Sequence, residues 1–316
     1  MNSKTYPEIS AQPESLAAAL KQLALQSNWV SQYMTTPDFD EVIFIGSGSS
    51  FYQAQTMASV YRKWTGRRAS AYPSSEIFLF PEHLTNATQR YLLVGVSRSG
   101  ESSEVILALE SVTPLNNWST CGITCYENSR MAQITECLVS PLGREESTVM
   151  TKSFSSMTFM MLAAIATSIN NESFIQQLTD SASISVDTVN QADVFIEKFV
   201  EEHTFNKYIY LGMGPFFGLV NEASLKIKEM SYVWTESFNT LEFRHGPKSI
   251  VDSGTLVCLM VSERARSYEL KVAQEMQDYG ATILLLTAIS GSDTDFADAV
   301  FQIGGAELDD ESRCVL

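Results

Sequence analysis

A stretch beginning at Ile43, IFIGSGSSFYQAQTMASVYRKW, returns 166 positions later as IYLGMGPFFGLVNEASLKIKEM from Ile209. The offset lays Gly46 on Gly212, Gly48 on Gly214 and Glu76 on Glu242. Such a repeat constrains the fold more than any single motif, because both copies must form the same local unit. Each copy reads as an apolar run, a glycine turn and an amphipathic helix, so two α/β units are expected. With 316 residues, each unit has enough chain for its own core.

Near-continuous apolar runs at Glu41–Gly46, Tyr91–Val96, Tyr208–Gly212, Leu256–Val261 and Thr282–Thr287 are typical of parallel strands covered on both faces. Shorter strands are predicted at Ala69–Tyr72, Ser119–Thr124, near Val139, at Val233–Glu236 and at Val300–Ile303. Helices are predicted over Phe51–Thr65, Glu101–Glu110, Pro215–Tyr232 and Arg266–Tyr279. A helical lead-in over Glu14–Tyr33 breaks at Thr35–Thr36–Pro37, and Phe154–Ile169 with Ile175–Glu202 joins the halves. The fold class is therefore α/β: two units, each a parallel five-stranded sheet with helices on both faces. The expected divisions are a helical arm (1–40), a first domain (41–170), linking helices (171–205) and a second domain (206–316). Ligands of such sheets bind at the carboxyl ends of the strands.

A net charge of −16 argues against a nucleic-acid partner. An anionic ligand must then be met by local donors, which helix N-termini and backbone N–H groups supply without net charge. The 45% hydrophobic and 18% charged content excludes disorder. No run reaches the roughly 18 apolar residues of a membrane span, and MNSKTYPEIS lacks the layout of a signal peptide. Five cysteines, mostly embedded in apolar strands, suggest buried thiols and a cytoplasmic location. Cys121 and Cys125 lack nearby histidine or paired cysteine ligands, so no metal and no cofactor are expected.

Ser97–Arg98–Ser99–Gly100–Glu101–Ser102 follows a strand and opens a helix. Its hydroxyls and the helix's first N–H groups suit phosphate oxygens, and Gly100 permits close backbone approach. A plain N-cap would account for one such loop. A second serine-rich crest, Gly46–Ser47–Gly48–Ser49–Ser50, occupies the equivalent place after the first strand and favours convergence on one anion. A dinucleotide site is the poorer reading, with Phe51 where the third glycine belongs. A P-loop is excluded, because no Gly–Lys–Ser/Thr triplet follows.

On the Pro215–Tyr232 helix, Phe216, Leu219, Val220, Ala223, Ile227 and Met230 form one apolar face. Glu222, Lys226 and Glu229 lie on a neighbouring stripe, and Asn221, Ser224 and Lys228 are expected on the wet side. The charged stripe is either a surface ion-pair ladder or a half-buried catalytic set, in which burial would raise a carboxylate pKa. His245 sits in a turn, Phe243–Arg244–His245–Gly246–Pro247, where it could shuttle a proton near pH 7. His83 and His203 are expected in solvated surroundings.

These stretches, with Glu145–Glu146–Ser147–Thr148–Val149–Met150–Thr151–Lys152, resemble the SIS (sugar isomerase) family over nearly the whole chain, as two tandem SIS domains of flavodoxin-like fold. The nearest branches are the isomerase half of glucosamine-6-phosphate synthase, archaeal-type glucosamine-6-phosphate deaminases and AgaS-like deaminase/isomerases. The resemblance implies a sugar phosphate held by Ser50, Ser97, Ser99 and Ser102, with Ser49, Arg98, Val149 and Thr151 lining the substrate. It implies Glu229 as the base moving a proton between C1 and C2, with Glu222 and Lys226 supporting it. It implies His245 for ring opening, supplied by the adjacent subunit of a homodimer.

Met150 stands where the synthases carry serine, which removes a hydroxyl from the substrate-lining segment. The synthases carry an N-terminal glutaminase domain, whereas Met1–Asn2–Ser3 leads here into the helical arm, so glutamine-dependent synthesis is not expected; the family's basic tail with its lysine is not seen before Leu316. The expected activity is deamination with isomerisation of a hexosamine 6-phosphate. The alternatives are plain aldose/ketose isomerisation, deglycation of a fructosamine 6-phosphate and a non-catalytic sugar-phosphate sensor.

Overall fold

The computed structural model describes residues 4–35 and 38–316. Part of the predicted Thr35–Thr36–Pro37 break, residues 36 and 37, lies outside the described residues. The chain divides into two compact units between Ala182 and Ser183, with Val315 grouped in the first and Leu316 in the second.

The first unit opens with α1 (Thr5–Ser10), α2 (Gln12–Leu25) and α3 (Ser27–Val30). Then come β1 (Glu41–Gly46), α4 (Ser49–Thr65), β2 (Ala69–Pro73), α5 (Ser74–Leu79), α6 (Pro81–Leu84) and β3 (Tyr91–Val96). The unit continues with α7 (Ser103–Val112), β4 (Trp118–Thr124), α8 (Arg130–Ile134), β5 (Cys137–Val139) and α9 (Lys152–Ser168). Its strands pair in the order β2-β1-β3-β4-β5, every pair parallel. Ile43, Ile45, Leu93, Val105, Ile106 and Leu109 close one side of the sheet in a buried cluster, each side chain stabilising by about 1.5–3 kcal/mol. Nearly every residue of α9 is buried, as expected for a helix apolar all round. It packs between α2 and α4.

Helix α10 (Glu172–Glu202) spans the division point. The second unit then holds β6 (Lys207–Gly212), α11 (Phe217–Ser231), β7 (Thr235–Asn239), β8 (Thr255–Met260), α12 (Arg266–Asp278), β9 (Thr282–Thr287) and β10 (Ala299–Gln302). The order β10-β9-β8-β6-β7, again all parallel, reproduces the first sheet strand for strand. Gly48 and Gly214 share a backbone φ of 57°, a left-handed turn that favours glycine, so the repeat extends to backbone conformation. The 166-residue offset holds from Glu41 in β1 to Lys207 in β6, but becomes 164 from Tyr91 in β3 to Thr255 in β8.

Three expectations are corrected. The strand predicted at Val233–Glu236 lies instead at Thr235–Asn239. Asn221 and Ser224 are buried rather than wet: the Ser237 hydroxyl donates to Asn221 Oδ1 at 2.8 Å, and the Ser224 and Thr235 hydroxyls pair at 2.9 Å. Helix α11 thus docks on β7 through matched polar groups, while Met230 is 48% exposed. His203 is not simply solvated but stacks on Phe199 and Phe205. Among the described residues, no helix is long and apolar enough to cross a membrane.

Candidate active site

In the first unit, β1 and β3 are adjacent parallel strands, with Ile45 opposite Gly95, so the loops that follow them emerge side by side. Strand order reverses between these two strands, which is where open α/β sheets bind ligands. Ser49 and Ser50 form the buried first turn of α4. Ser97 is fully buried, and its hydroxyl pairs with that of Ser102 at 2.9 Å and accepts from the Gly100 amide at 3.1 Å. The Ser99 hydroxyl accepts from the Glu101 amide at 3.1 Å. Gly100 has a φ of 67°, and the Ser129 side chain fills the space a Cβ would need, which pins the loop against the end of β4. A cleft of about 440 Å³ opens beside it, lined by Arg98, Ser99, Glu101, Tyr126, Ser129 and Arg144 among others.

The 144–152 segment is held from within by Glu145, whose side chain has no solvent exposure. Its carboxylate accepts from the Thr151 amide at 2.7 Å, the Thr151 hydroxyl at 2.6 Å, the Ser153 amide at 3.2 Å and the Ser153 hydroxyl. Arg98 approaches the same carboxylate at 3.3 Å and donates to the carbonyls of Ser147, Thr148 and Val149 at 3.2–3.4 Å. The guanidinium of Arg98 and the hydroxyl of Thr151 are thereby committed to shaping the segment. From the other side, Glu8 accepts from the Glu146 amide at 2.6 Å and the Ser147 amide at 3.2 Å. Glu145 had no role assigned from sequence. The signal for it is slight: an acid followed by hydroxyl residues six and eight positions on.

In the second unit, Glu222, Lys226 and Glu229 are gathered on α11. Lys226 Nζ lies 3.2 Å from Glu222 Oε1 and pairs on its other side with Glu229. Glu222 is buried, the Lys226 side chain is 16% exposed and that of Glu229 37% exposed. The set is therefore graded from core to surface, with Glu229 at its outer end. His245 is exposed, in the loop after β7. That loop is fastened at three points to α12 and to Tyr279, the residue that ends it. Thr240 donates to Glu269 at 3.3 Å, Arg244 Nε to Glu275 at 3.0 Å, and Lys248 lies over the Tyr279 ring at 5.5 Å.

Glu269 also accepts from the amide and hydroxyl of Ser262 at 2.7 and 2.8 Å. Burial pushes its carboxyl up to about 7, with these donors pulling the other way. The folded chain thus binds the Glu269 proton more tightly than the unfolded chain does. Its contribution to stability is complete below the ordinary carboxylate range and is lost as pH rises through about 7. Glu269→Gln is expected to remove this dependence. In paired melts, wild type should lose roughly 3 kcal/mol relative to the variant between pH 4.5 and 8. Parallel curves would show that Glu269 does not titrate in that window.

All five cysteines are free thiols, and burial pushes Cys125 and Cys258 up to about 12, which leaves them poor nucleophiles. No cluster of His, Cys, Asp or Glu that could hold a metal ion is found among the described residues.

The SIS domain model matches residues 38–167. The chain is 27% identical to D-galactosamine-6-phosphate deaminase AgaS of Escherichia coli over 306 residues, 92% of this chain and 79% of that protein. It is 32% identical to a crystal structure of glucosamine-6-phosphate deaminase from Thermotoga maritima, covering 99% of this chain and 92% of that one, with a TM-score of 0.77. The fold also matches a tagatose-6-phosphate ketose/aldose isomerase from Escherichia coli, with a TM-score of 0.88 at 24% identity over 99% of this chain and 89% of that one.

Proposed function

This chain belongs to the SIS (sugar isomerase) domain family, and we propose that it is a phosphosugar isomerase that deaminates a hexosamine 6-phosphate. What carries the reading is the 32% identity to a glucosamine-6-phosphate deaminase along nearly the full length of both chains. We read each unit as a flavodoxin-like SIS domain, spanning 41–170 and 206–316.

The phosphate is assigned to the crest of Ser50, Ser97, Ser99 and Ser102, whose hydroxyls and loop amides are the donors an anion needs in an acidic protein. The proton chemistry is assigned to the second unit. His245 passes a proton from the C1 hydroxyl to the ring oxygen, opening the sugar. Glu229 removes the C2 proton, leaving an enolamine, and returns a proton to C1. The resulting C2 imine takes up water and releases ammonia, leaving the ketose 6-phosphate. Lys226, between Glu222 and Glu229, fixes the orientation of the base. A carboxylate base suffices here because the open-chain carbonyl acidifies the neighbouring carbon. We further propose a cytoplasmic homodimer in which His245 acts on the neighbouring subunit's sugar.

The test is ammonia release from glucosamine 6-phosphate and, because of the AgaS similarity, from galactosamine 6-phosphate. Ammonia with stoichiometric ketose phosphate from one of them is the expected result. Interconversion without ammonia would make the protein a plain isomerase, and binding without turnover would make it a sensor.

A further inference from the structure

The two sheets allow the loop of the first unit to be laid on the second residue by residue. The Ser97 amide donates to Ile123 O at 3.2 Å, and the Val261 amide makes the same bond to Leu286 O at 2.9 Å. Ser97 therefore corresponds to Val261, Ser99 to Glu263 and Gly100 to Arg264. None of the crest hydroxyls of the first loop recurs in the second at these positions, but the backbone amides do. In the first unit, no bond from the Ser99 amide to a protein acceptor is found among the described residues.

The Gly100 amide turns back on its own loop, donating to Ser97 Oγ at 3.1 Å, whereas in the second unit both corresponding amides go to a single carboxylate. Glu263 N–H donates to Asp310 Oδ1 at 3.0 Å, and Arg264 N–H to Asp310 Oδ2 at 3.3 Å. Behind the carboxylate sits Arg313, 2% exposed. It pairs with Asp310 and donates to the carbonyls of Gly305 at 3.0 Å and Leu308 at 2.7 Å. Two loop amides and a buried guanidinium thus converge on one carboxylate. That is the donor set of an anion cradle.

We propose that the second unit retains the anion cradle of the repeat and that Asp310 is its built-in ligand, which closes it to phosphate. The proposal rests on reading the Ser97–Ser102 loop as the phosphate anchor, and it deepens that reading by limiting each chain to one sugar phosphate. The cradle's ligand class is a small oxyanion: carboxylate in the native chain, formate or phosphate when the carboxylate is removed. Asp310→Ala would leave Arg313 and both amides facing an emptied, carboxylate-sized space, a charged vacancy that favours refilling. Asp310→Asn fills the same space with a neutral group and keeps one acceptor.

The experiment titrates wild type, D310A and D310N with inorganic phosphate and with formate, reading stoichiometry by calorimetry and Tm by thermal melts. Wild type and D310N are expected to bind one phosphate per chain. D310A is expected to melt lower than D310N and to regain Tm saturably in formate, as a specifically bound ligand requires. If D310A folds only with formate present during refolding, that recovery supports the cradle equally. Formate that raises D310A no more than D310N, or two phosphates on wild type, would overturn the proposal. Wild type binding no phosphate would instead sink the anchor assigned to the first unit, and the D310A–D310N comparison would still decide the cradle.

Discussion

Glu229→Gln is expected to lower kcat for ammonia release by about 10²- to 10⁴-fold, the loss typical of removing a positioned general base. The substitution keeps the shape of the side chain and its place at the outer end of the α11 set, but an amide cannot take a proton from carbon. Lys226 keeps Glu222 at 3.2 Å as its other partner, so the helix should not rearrange. The donors assigned to the phosphate all lie in the first unit, so sugar-phosphate binding should stay near the wild-type value. A base used only in the transition state lowers kcat and kcat/KM together. A rise in KM at unchanged kcat would place Glu229 among the binding groups and move the base elsewhere. Unchanged turnover would return the Glu222–Lys226–Glu229 stripe to a surface ion-pair ladder worth a few tenths of a kcal/mol.

The parts of the fold legible in the sequence share one physical cause. Strands β1, β3, β6, β8 and β9 lie inside their sheets, are covered on both faces and so are apolar at nearly every position. β7 is an edge strand of mixed polarity, and the apolar pair Val233–Trp234 drew the prediction two residues early, although Trp234 is 76% exposed. The α11 face was misjudged because hydropathy scores Asn221 and Ser224 as wet. It does not register that Ser237 and Thr235 satisfy them across the helix–strand contact. The position of the serine crests, after a strand and before a helix, was legible because the apolar run that precedes each one marks the strand end. The acidic organisers were not. Glu145, Glu269 and Asp310 were given no individual role from sequence, and the converging donors from residues far apart in sequence explain their burial.

Glu145→Ala is expected to produce a loss of stability in the first unit as large as that of truncating a buried aromatic side chain. It would orphan two amides and two hydroxyls around a side chain with no solvent exposure, and leave the Arg98 guanidinium only its carbonyl partners. Removing one partner of a buried, hydrogen-bonded ion pair costs about 3–5 kcal/mol, and Tm should fall on the order of 10 °C. Thr151→Val removes one of these hydrogen bonds and should cost only about 1 kcal/mol. Arg98→Met leaves the carboxylate its four other donors and should fall between the two. Glu145→Gln separates shape from charge: it keeps one carbonyl for Thr151 or Ser153 but sets an NH₂ against the remaining donors. If the segment lines the sugar, the Gln variant assayed below its Tm should raise KM more than it lowers kcat, because the error lies in positioning rather than in the proton step. An Ala variant as stable as Thr151→Val would mean that Glu8 and the Arg98–carbonyl bonds alone hold the segment. Glu145 would then be a satisfied but dispensable carboxylate. The order of the four variants in Tm therefore tests whether this segment is built around its buried acid or merely encloses it.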